Sequence, residues 1–193
     1  VHNWADKEII KNRLEYQKAY HELFTKHRRE HNIDIGFQKI IFPESYGGSG
    51  FNSPEKIPSI ITILGELSRA DAALGFMSAL EYSASAVAAM EPSVNRSICD
   101  MIAPLLCGSE LRSVAIIMPG SASTGPPSPL FLGREIRARI TRAGETCTLS
   151  GKNLRPIGNG AIADIIAVVC ADENEKPGIA YVTADQKGVE RGK

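Results

Sequence analysis

The feature of this 193-residue sequence that most constrains its fold is a change in apolar spacing near Arg112. Before this point apolar residues recur at helical spacing, and after it they alternate with polar residues or form short runs. Helices followed by strands, rather than alternating with them, favour an α+β fold over a doubly wound nucleotide-binding fold. The sequence therefore predicts an all-α domain at residues 1–111 and a β domain, the start of a sandwich or barrel, at residues 112–193.

Apolar residues at helical spacing predict four helices in the first domain. The first helix is rich in Glu, Lys and Arg and should lie on the surface. The third is rich in Ala, Leu and Met on nearly every face, so it should be buried among the others. The predicted helices cover residues 5–31, 60–67 after a helix-start signal at 53–55, 72–90, and 94–105 before a stop at Gly108.

Five stretches of the second domain predict strands. The first and fourth are continuous apolar runs, which indicates buried strands. The second and third flank a turn at residues 143–145, which predicts a half-exposed hairpin. The predicted strands are 114–118, 136–141, 147–149, 165–170 and 179–182.

Charge and cysteine content exclude several classes of function. The 22 Lys and Arg residues balance the 22 Asp and Glu residues, so no domain-wide positive field favours nucleic acid. Cys99, Cys107, Cys147 and Cys170 are widely spaced, unlike the close pairs of zinc ribbons and redox motifs. We expect reduced thiols, and small ligands or protein partners.

The sequence contains no apolar run of the roughly 20 residues that a membrane helix requires. It also lacks the charged-then-apolar start of a signal peptide. We therefore expect a soluble protein without membrane insertion, cytoplasmic or, in a eukaryote, in the mitochondrial matrix. Because the chain opens at Val1 and stops at Lys193 directly after a strand-like stretch, we expect it to be a fragment.

All four histidines precede residue 32, on the helix predicted to be exposed. His27 and His31 share a face of that helix, but no HExxH motif or carboxylate cluster accompanies them. Surface histidines are therefore favoured over zinc ligands, and no metal site is predicted. The charged stretch 26–31 is interpreted as a solvated helix end rather than a partner-binding patch. Without a GxSxG motif or a later histidine, nucleophilic hydrolysis is disfavoured.

Two Gly/Ser-rich loops are candidates for ligand binding. Residues 47–50 could bring backbone N–H groups close to an anion, since glycine permits a close approach. They lack the order of a phosphate-binding loop, so an interhelical turn is favoured there. Residues 119–125 follow a predicted buried strand and offer hydroxyls and amides to a cofactor, with a flexible connector as an equal alternative.

Seven short segments, in the same order along the chain, resemble motifs of the acyl-CoA dehydrogenase family. Residues 43–50 resemble the family's PE-x-YGG-x-G segment, and residues 115–124 (AIIMPGSAST) are similar to ALTEPGAGSD. The other segments, 66–72, 104–110, 149–152, 159–164 and 188–189, resemble E-x-SRADA, LP-x-L-x-x-GE, L-x-G-x-K, NG-x-x-AD and the GV strand. The resemblance spans essentially the whole chain.

The resemblance implies a helical N-terminal domain packed on a central β domain, with FAD between the β domain and a C-terminal helical domain. It implies FAD-dependent α,β-dehydrogenation of an acyl-CoA thioester to a 2-enoyl-CoA, in which a glutamate removes the α-proton while the β-hydride moves to the flavin. That glutamate belongs to the C-terminal domain, which this sequence lacks, so no catalytic residue is assigned. The implied partners are an acyl-CoA substrate, an electron-transfer flavoprotein or similar acceptor, and other subunits of a homotetramer or hetero-oligomer.

By the same resemblance, the flavin-facing surface of the β domain comprises a strand and loop at 115–123 and a segment at 156–158. Ser123 keeps a hydroxyl that could touch FAD or the CoA arm of the substrate. The residues assigned to FAD are Ala115, Ile116, Ile117, Met118, Gly120, Ser123, Pro156, Ile157 and Gly158, with Ser123 also assigned to the substrate.

The sequence departs from the family at several of these positions. Ile117 stands where a flavin-bonding threonine is usual, and Pro156 takes the place of the aromatic residue that shields the flavin ring. Met118, Ala122 and Thr124 replace Glu, Gly and Asp. Losing one neutral hydrogen bond of about 1 kcal/mol weakens binding about fivefold. Two alternatives stay open: a non-catalytic paralogue that is a structural partner in an oligomer, and a flavin monooxygenase of the same fold.

Overall fold

The computed structural model describes residues 1–89, 95–119, 136–144 and 146–190. These residues form an α+β fold that divides into two compact units, Val1–Arg112 and Ser113–Lys193. The described part of the first unit is helical and that of the second contains a mixed sheet, which confirms the predicted fold class. Within the described ranges, no helix is both long and apolar enough to cross a membrane.

The N-terminal segment is a series of short helical pieces, so the prediction of one long helix is wrong. The pieces are α1 (His2–Ala5), α2 (Arg13–Lys18) and α3 (Tyr20–Arg29), with π-helical turns at Asp6–Ile10 and Glu30–Asp34. The helix breaks where Asn12 and Ala19 leave helical backbone angles. At Asn12 the side-chain amide donates to the Lys7 carbonyl at 3.0 Å, a local bond that competes with the helical pattern.

Three longer helices follow, namely α4 (Ile57–Ala70), α5 (Ala72–Ala89) and α6 (Arg96–Leu106). A 3₁₀ turn at Pro54–Lys56 precedes α4, at the predicted helix start. Asp71 lies between α4 and α5, and its carboxylate accepts a hydrogen bond from the Leu74 N–H at 2.7 Å. A Cβ added at Gly75 would lie 2.1 Å from the Ser68 hydroxyl oxygen, so only glycine permits this approach of α5 to α4.

Helix α5 is buried along one side only, whereas the sequence predicts burial on nearly every face. Leu74, Ala84 and Ala88 are buried, but Phe76 and Val87 are 52% and 48% exposed. Apolar residues occur all around this helix, and only part of its surface is covered by other residues.

One apolar cluster of the first unit joins the N-terminal pieces to α4 and α5. Its buried members are Ala5, Ile9, Tyr16, Leu67, Ala70 and Leu74. Trp4 and Ile63 pack against this cluster and are partly buried. Helices as short as α1 are unstable alone, so packing of about 2 kcal/mol per large apolar side chain holds them in place.

The second unit contains a five-stranded mixed sheet. Its strands are β1 (Val114–Ile117), β2 (Ala138–Ala143), β3 (Thr146–Ser150), β4 (Ile165–Ala171) and β5 (Pro177–Thr183). β4 pairs antiparallel with β5 along its whole length and parallel with β1, with Val114 opposite Ile165. The end of β4 also pairs parallel with β2, which forms a hairpin with β3. All five predicted strands are confirmed.

Candidate functional site

The structure brings together the two segments that the resemblance assigns to the flavin. Ile117, at the end of β1, forms an antiparallel bridge with Pro156. The Ile157 N–H donates to the Ile116 carbonyl at 3.0 Å. Pro156 has no N–H, but the bridge does not need one, because the hydrogen bond to β1 is donated by the N–H of Ile157. We call residues 115–118 and 156–158 together the strand-end site.

Polar groups that follow the strand-end site in sequence fix the start of β1. The Asn159 amide donates to the Val114 carbonyl at 3.1 Å. The Asp164 carboxylate accepts a hydrogen bond from the Ser113 N–H at 2.8 Å, and the Asp164 N–H donates to the Ser113 carbonyl at 2.8 Å. The segment 159–164, which resembles a family motif, therefore anchors the strand that carries the site.

Gly160 sets how closely the chain approaches Pro156. A Cβ added at Gly160 would lie 2.2 Å from the Cγ atom of Pro156, closer than side chains ever pack. Because only glycine fits there, the position of residues 156–158 depends on Gly160.

Two residues of the strand-end site belong to the core of the second unit. Ile117 is 8% exposed and packs with Ala138, Val168 and Cys170. Ala115, two positions earlier on the same face of β1, is fully buried. An Ile at position 117 therefore suits this sheet core, although a flavin-bonding threonine is expected there from the family pattern.

The accessible part of the strand-end site is apolar. Ile116, Met118 and Gly158 are half-buried, Pro156 is exposed, and Ile157 is 39% exposed. These groups fit a flavin ring as an apolar support, since aromatic rings pack well on aliphatic side chains. None of these side chains can donate a hydrogen bond to the polar edge of such a ring.

Three predicted features lie partly or wholly outside the described residues. Gly120 and Ser123, both assigned to FAD, fall in the range 120–135, as does most of the Gly/Ser-rich loop at 119–125. Of that loop only Pro119 is described, and it is buried.

The Gly/Ser-rich loop at 47–50 is a turn and not an anion cradle. Each of its four backbone N–H groups donates to a carbonyl of the same region: Gly47 to Glu44, Gly48 to Pro43, Ser49 to Lys39, and Gly50 to Phe42. The donor–acceptor distances run from 2.9 to 3.3 Å. Because these amides are already used, the loop has none to offer to a bound anion.

The charged stretch 26–31 is not a solvated helix end, and this prediction is wrong. His27, Arg28 and His31 are 2%, 7% and 0% exposed. The hydrogen-bond partners of Arg28 are distant in sequence, so no local pattern reveals its burial. Arg28 donates to the Glu81 carboxylate at 2.5 Å and to the carbonyl of Arg112 at 3.1 Å.

Further hydrogen bonds extend this buried polar network. The Asn32 amide donates to the second carboxylate oxygen of Glu81 at 3.3 Å. His31 Nδ1 lies 3.0 Å from the Asn32 side-chain oxygen, and its ring centroid lies 4.4 Å from that of Phe37. Burial lowers the pKa of His31 to about 4, so its imidazole is neutral near pH 7. The network connects α3 and the segment after it to α5, which indicates a structural role.

Burial raises the pKa of three of the cysteine thiols, those of Cys99, Cys107 and Cys170. All four cysteines are free. Cys107 lines a cavity of about 230 Å³ together with Gln38 and Lys39, and burial raises the pKa of its thiol to about 11. A protonated thiol is a poor nucleophile. Across the described ranges no group of three or more His, Cys, Asp or Glu residues is placed to hold a metal ion.

Comparison with known proteins gives likeness at the level of the fold. No family model matches the sequence, and no curated protein matches it. A solved nitrososynthase from Micromonospora carbonacea var. africana superposes with a TM-score of 0.54 and 16% identity, over 86% of this chain. A variant of a steroid acyl-CoA dehydrogenase superposes with a TM-score of 0.43 and 16% identity, over 83% of this chain. The chain spans 39% of each of these structures.

The described residues thus have an acyl-CoA dehydrogenase-like fold, in which helices precede a mixed sheet. The likeness at this identity defines the class of fold and no particular member of it.

Proposed function

We propose that this chain is the N-terminal part of a flavin-dependent oxidoreductase that converts an acyl-CoA thioester to a 2-enoyl-CoA. The observation that carries the proposal is the contact between β1 and residues 156–158. These two segments are at least 39 positions apart in sequence, and the Ile157 N–H joins them by its hydrogen bond to the Ile116 carbonyl. The order of the seven family-like segments supports the same assignment.

In this proposal the strand-end site supports one face of the flavin ring of FAD. When bound, the flavin accepts the hydride that leaves the β-carbon of the substrate. Residues 115–118 and 156–158 position the ring through backbone groups and apolar contact, and Ser123 contacts FAD or the CoA arm. The glutamate base is supplied by residues beyond this chain, and the electrons pass to an electron-transfer flavoprotein or a similar acceptor.

The test is an anaerobic titration of the full-length protein, mixed with FAD, against acyl-CoA thioesters of several chain lengths. We expect at least one thioester to bleach the visible absorption of the flavin, with formation of the 2-enoyl-CoA. Coenzyme A alone and the matching free acid serve as controls and should leave the spectrum unchanged. If the full-length protein binds FAD but none of the thioesters bleaches the flavin absorption, the dehydrogenase assignment is contradicted.

A second candidate is a flavin monooxygenase of the same fold. It is favoured by the nitrososynthase, the better superposed of the two structures described above. A nitroso group forms by oxidation of nitrogen, so the corresponding substrate class is an amine. Oxygen uptake that requires both reduced flavin and an amine, without bleaching by acyl-CoA, would select this candidate.

A further inference from the structure

A cavity of about 230 Å³ lies within the first unit, between residues 32–39 and the end of α6. It is smaller than the roughly 300–1,000 Å³ of pockets that bind drug-sized ligands, so it suits a group of a few heavy atoms. The residues that line it are all described, and they belong to the segments 32–39 and 106–109. The lining therefore includes no residue of the strand-end site.

The Gln38 side chain holds the two walls of this cavity together. Its amide nitrogen donates to the carbonyls of Leu106 and Glu110 at 3.1 and 3.0 Å. Its amide oxygen accepts a hydrogen bond from the Arg112 N–H at 2.8 Å. The cavity is thus held in shape before any ligand enters, which lowers the cost of binding.

Lys39 brings a positive charge to the wall of the cavity, and its side chain is half-buried. The ammonium group lies near the Cys107 thiol, because the lysine charge lowers the thiol pKa, against the larger effect of burial. In the part of the chain that the structure describes, Lys39 forms no ion pair and no Asp or Glu lines the cavity. The charge at this cavity therefore favours an anion and disfavours a cation.

Hydrogen-bond donors line the same cavity. The backbone N–H groups of Gly108 and Ser109 have no acceptor among the described residues, and neither has the Ser109 hydroxyl. Two N–H groups and a hydroxyl beside an ammonium group match the oxygens of a phosphate or a carboxylate. The Leu106 carbonyl, at the negatively polarised end of α6, already accepts a hydrogen bond from Gln38, which reduces its repulsion of an anion.

We propose that this cavity binds a small oxyanion, a phosphate or carboxylate group, between Lys39 and residues 108–109. The inference goes beyond the proposed function, since it requires no flavin. A bound anion links the turn at Phe37–Lys39 to the end of α6, and it stabilises the folded protein by mass action. Removing the lysine charge deletes a charge-assisted hydrogen bond, so binding should weaken at least tenfold.

The first experiment measures the thermal midpoint of the full-length protein in sodium phosphate and in sodium acetate, with sodium chloride at the same ionic strength as the reference. Phosphate also stabilises proteins in general, because it is excluded from their surfaces. The comparison is therefore between the wild type and Lys39→Gln, with Lys18→Gln, an exposed lysine of α2, as the matched control.

We expect at least one of the two anions to raise the midpoint of the wild type and of Lys18→Gln more than that of Lys39→Gln. The anion that acts identifies the group as a phosphate or a carboxylate, and either result supports the proposal. Equal rises in the three folded proteins would overturn it.

The second experiment needs no variant and measures access to the cavity through Cys107, which lines it. Iodoacetamide labelling followed by peptide mass spectrometry compares this thiol with the exposed Cys147 in the same sample. At ten times the dissociation constant of the anion, labelling of Cys107 should slow about tenfold, while labelling of Cys147 stays unchanged. Equal labelling of Cys107 in phosphate, acetate and chloride would overturn the proposal and leave the proposed function standing.

Discussion

At the scale of single residues, the first unit depends on a buried ion pair. The side chains of Arg28 and Glu81 are 8% and 13% exposed, and the closest nitrogen and oxygen atoms are 2.5 Å apart. A buried ion pair adds little net stability compared with apolar packing, but removing one partner leaves the other charge without compensation. The ion pair therefore serves mainly to hold α3 in position against α5.

We expect Glu81→Gln to lower the free energy of unfolding by about 3 kcal/mol, because the buried guanidinium of Arg28 loses its counter-charge. Chemical denaturation of both proteins measures the difference. The matched control is Glu175→Gln, which neutralises the carboxylate of the exposed pair with Arg139 and should cost less than about 1 kcal/mol. Equal effects of the two substitutions would show that Arg28 does not depend on Glu81.

His31 gives a prediction about pH. Its pKa is about 4 in the folded protein and 6.5 in the unfolded chain, because burial disfavours the imidazolium. The unfolded state binds the proton first, so the free energy of unfolding falls as the pH drops from about 6.5 to about 4. The loss attributable to this one group is about 3 kcal/mol at the lower end.

The measurement is the free energy of unfolding as a function of pH, for the wild type, His31→Gln and His21→Gln. His31→Gln should flatten the pH dependence of the free energy of unfolding between pH 6.5 and pH 4, whereas substitution of the exposed His21 should not change it. If His31→Gln keeps the full slope, then other groups cause the acid sensitivity.

At the scale of elements, the turn at residues 43–51 leaves no room for a side chain at Gly48. A Cβ added at Gly48 would lie 2.0 Å from the Phe42 carbonyl oxygen, which also accepts the Gly50 N–H. We expect Gly48→Ala to destabilise the protein by about 2 kcal/mol, measured by thermal unfolding. Gly65→Ala is the control, because its Cβ in α4 meets nothing within 4 Å and alanine favours a helix by up to about 1 kcal/mol. The two changes should have opposite signs, and two losses of equal size would contradict this account.

Gly160 connects an element to the candidate site. Gly160→Ala pushes Pro156 away, so we expect the bridge to β1 to loosen and flavin affinity to fall at least fivefold. Gly178→Ala, where a Cβ has open space, should leave flavin affinity unchanged. Fluorescence titration with FAD compares the three proteins. Unchanged affinity in a folded Gly160→Ala protein would place the flavin elsewhere.

Elements with strong periodicity are predictable from this sequence. The hairpin becomes two strands because its alternation matches the two-residue repeat of a sheet, and the continuous apolar run 165–170 becomes the buried strand β4. The parallel pairing of β1 with β4 is not predictable, since nothing local specifies which strand a buried run will join. The burial of His31 has the same origin, because it is set by contacts with Trp4 and Phe37.

The candidate site also has some features that are predictable from the sequence and some that are not. Its residues are assigned by resemblance to a family, and that assignment stays a prediction, whereas the pairing of Ile117 with Pro156 is seen in the structure. The inward position of Ile117 follows from strand alternation only once the packed face of β1 is known. The hydrogen bonds of Asn159 and Asp164 to the start of β1 cannot be predicted from the sequence, because their partners lie 45 or more positions earlier in the chain.

At the scale of the whole molecule, the chain supplies a helical unit and a sheet unit, and it spans 39% of the two solved structures that it resembles. The activity of the whole protein is therefore a proposal in which this chain provides one face of the flavin site. Its assembly into a homotetramer or hetero-oligomer is part of the same proposal.

The most direct test of the central claim is a crystal structure of the full-length protein with flavin bound. We predict that the flavin ring lies within about 4 Å of Ile116, Met118 and Ile157, with Pro156 at its edge. A flavin bound elsewhere, or a strand-end site filled by the protein's own side chains, would contradict the claim and leave only the acyl-CoA dehydrogenase-like fold.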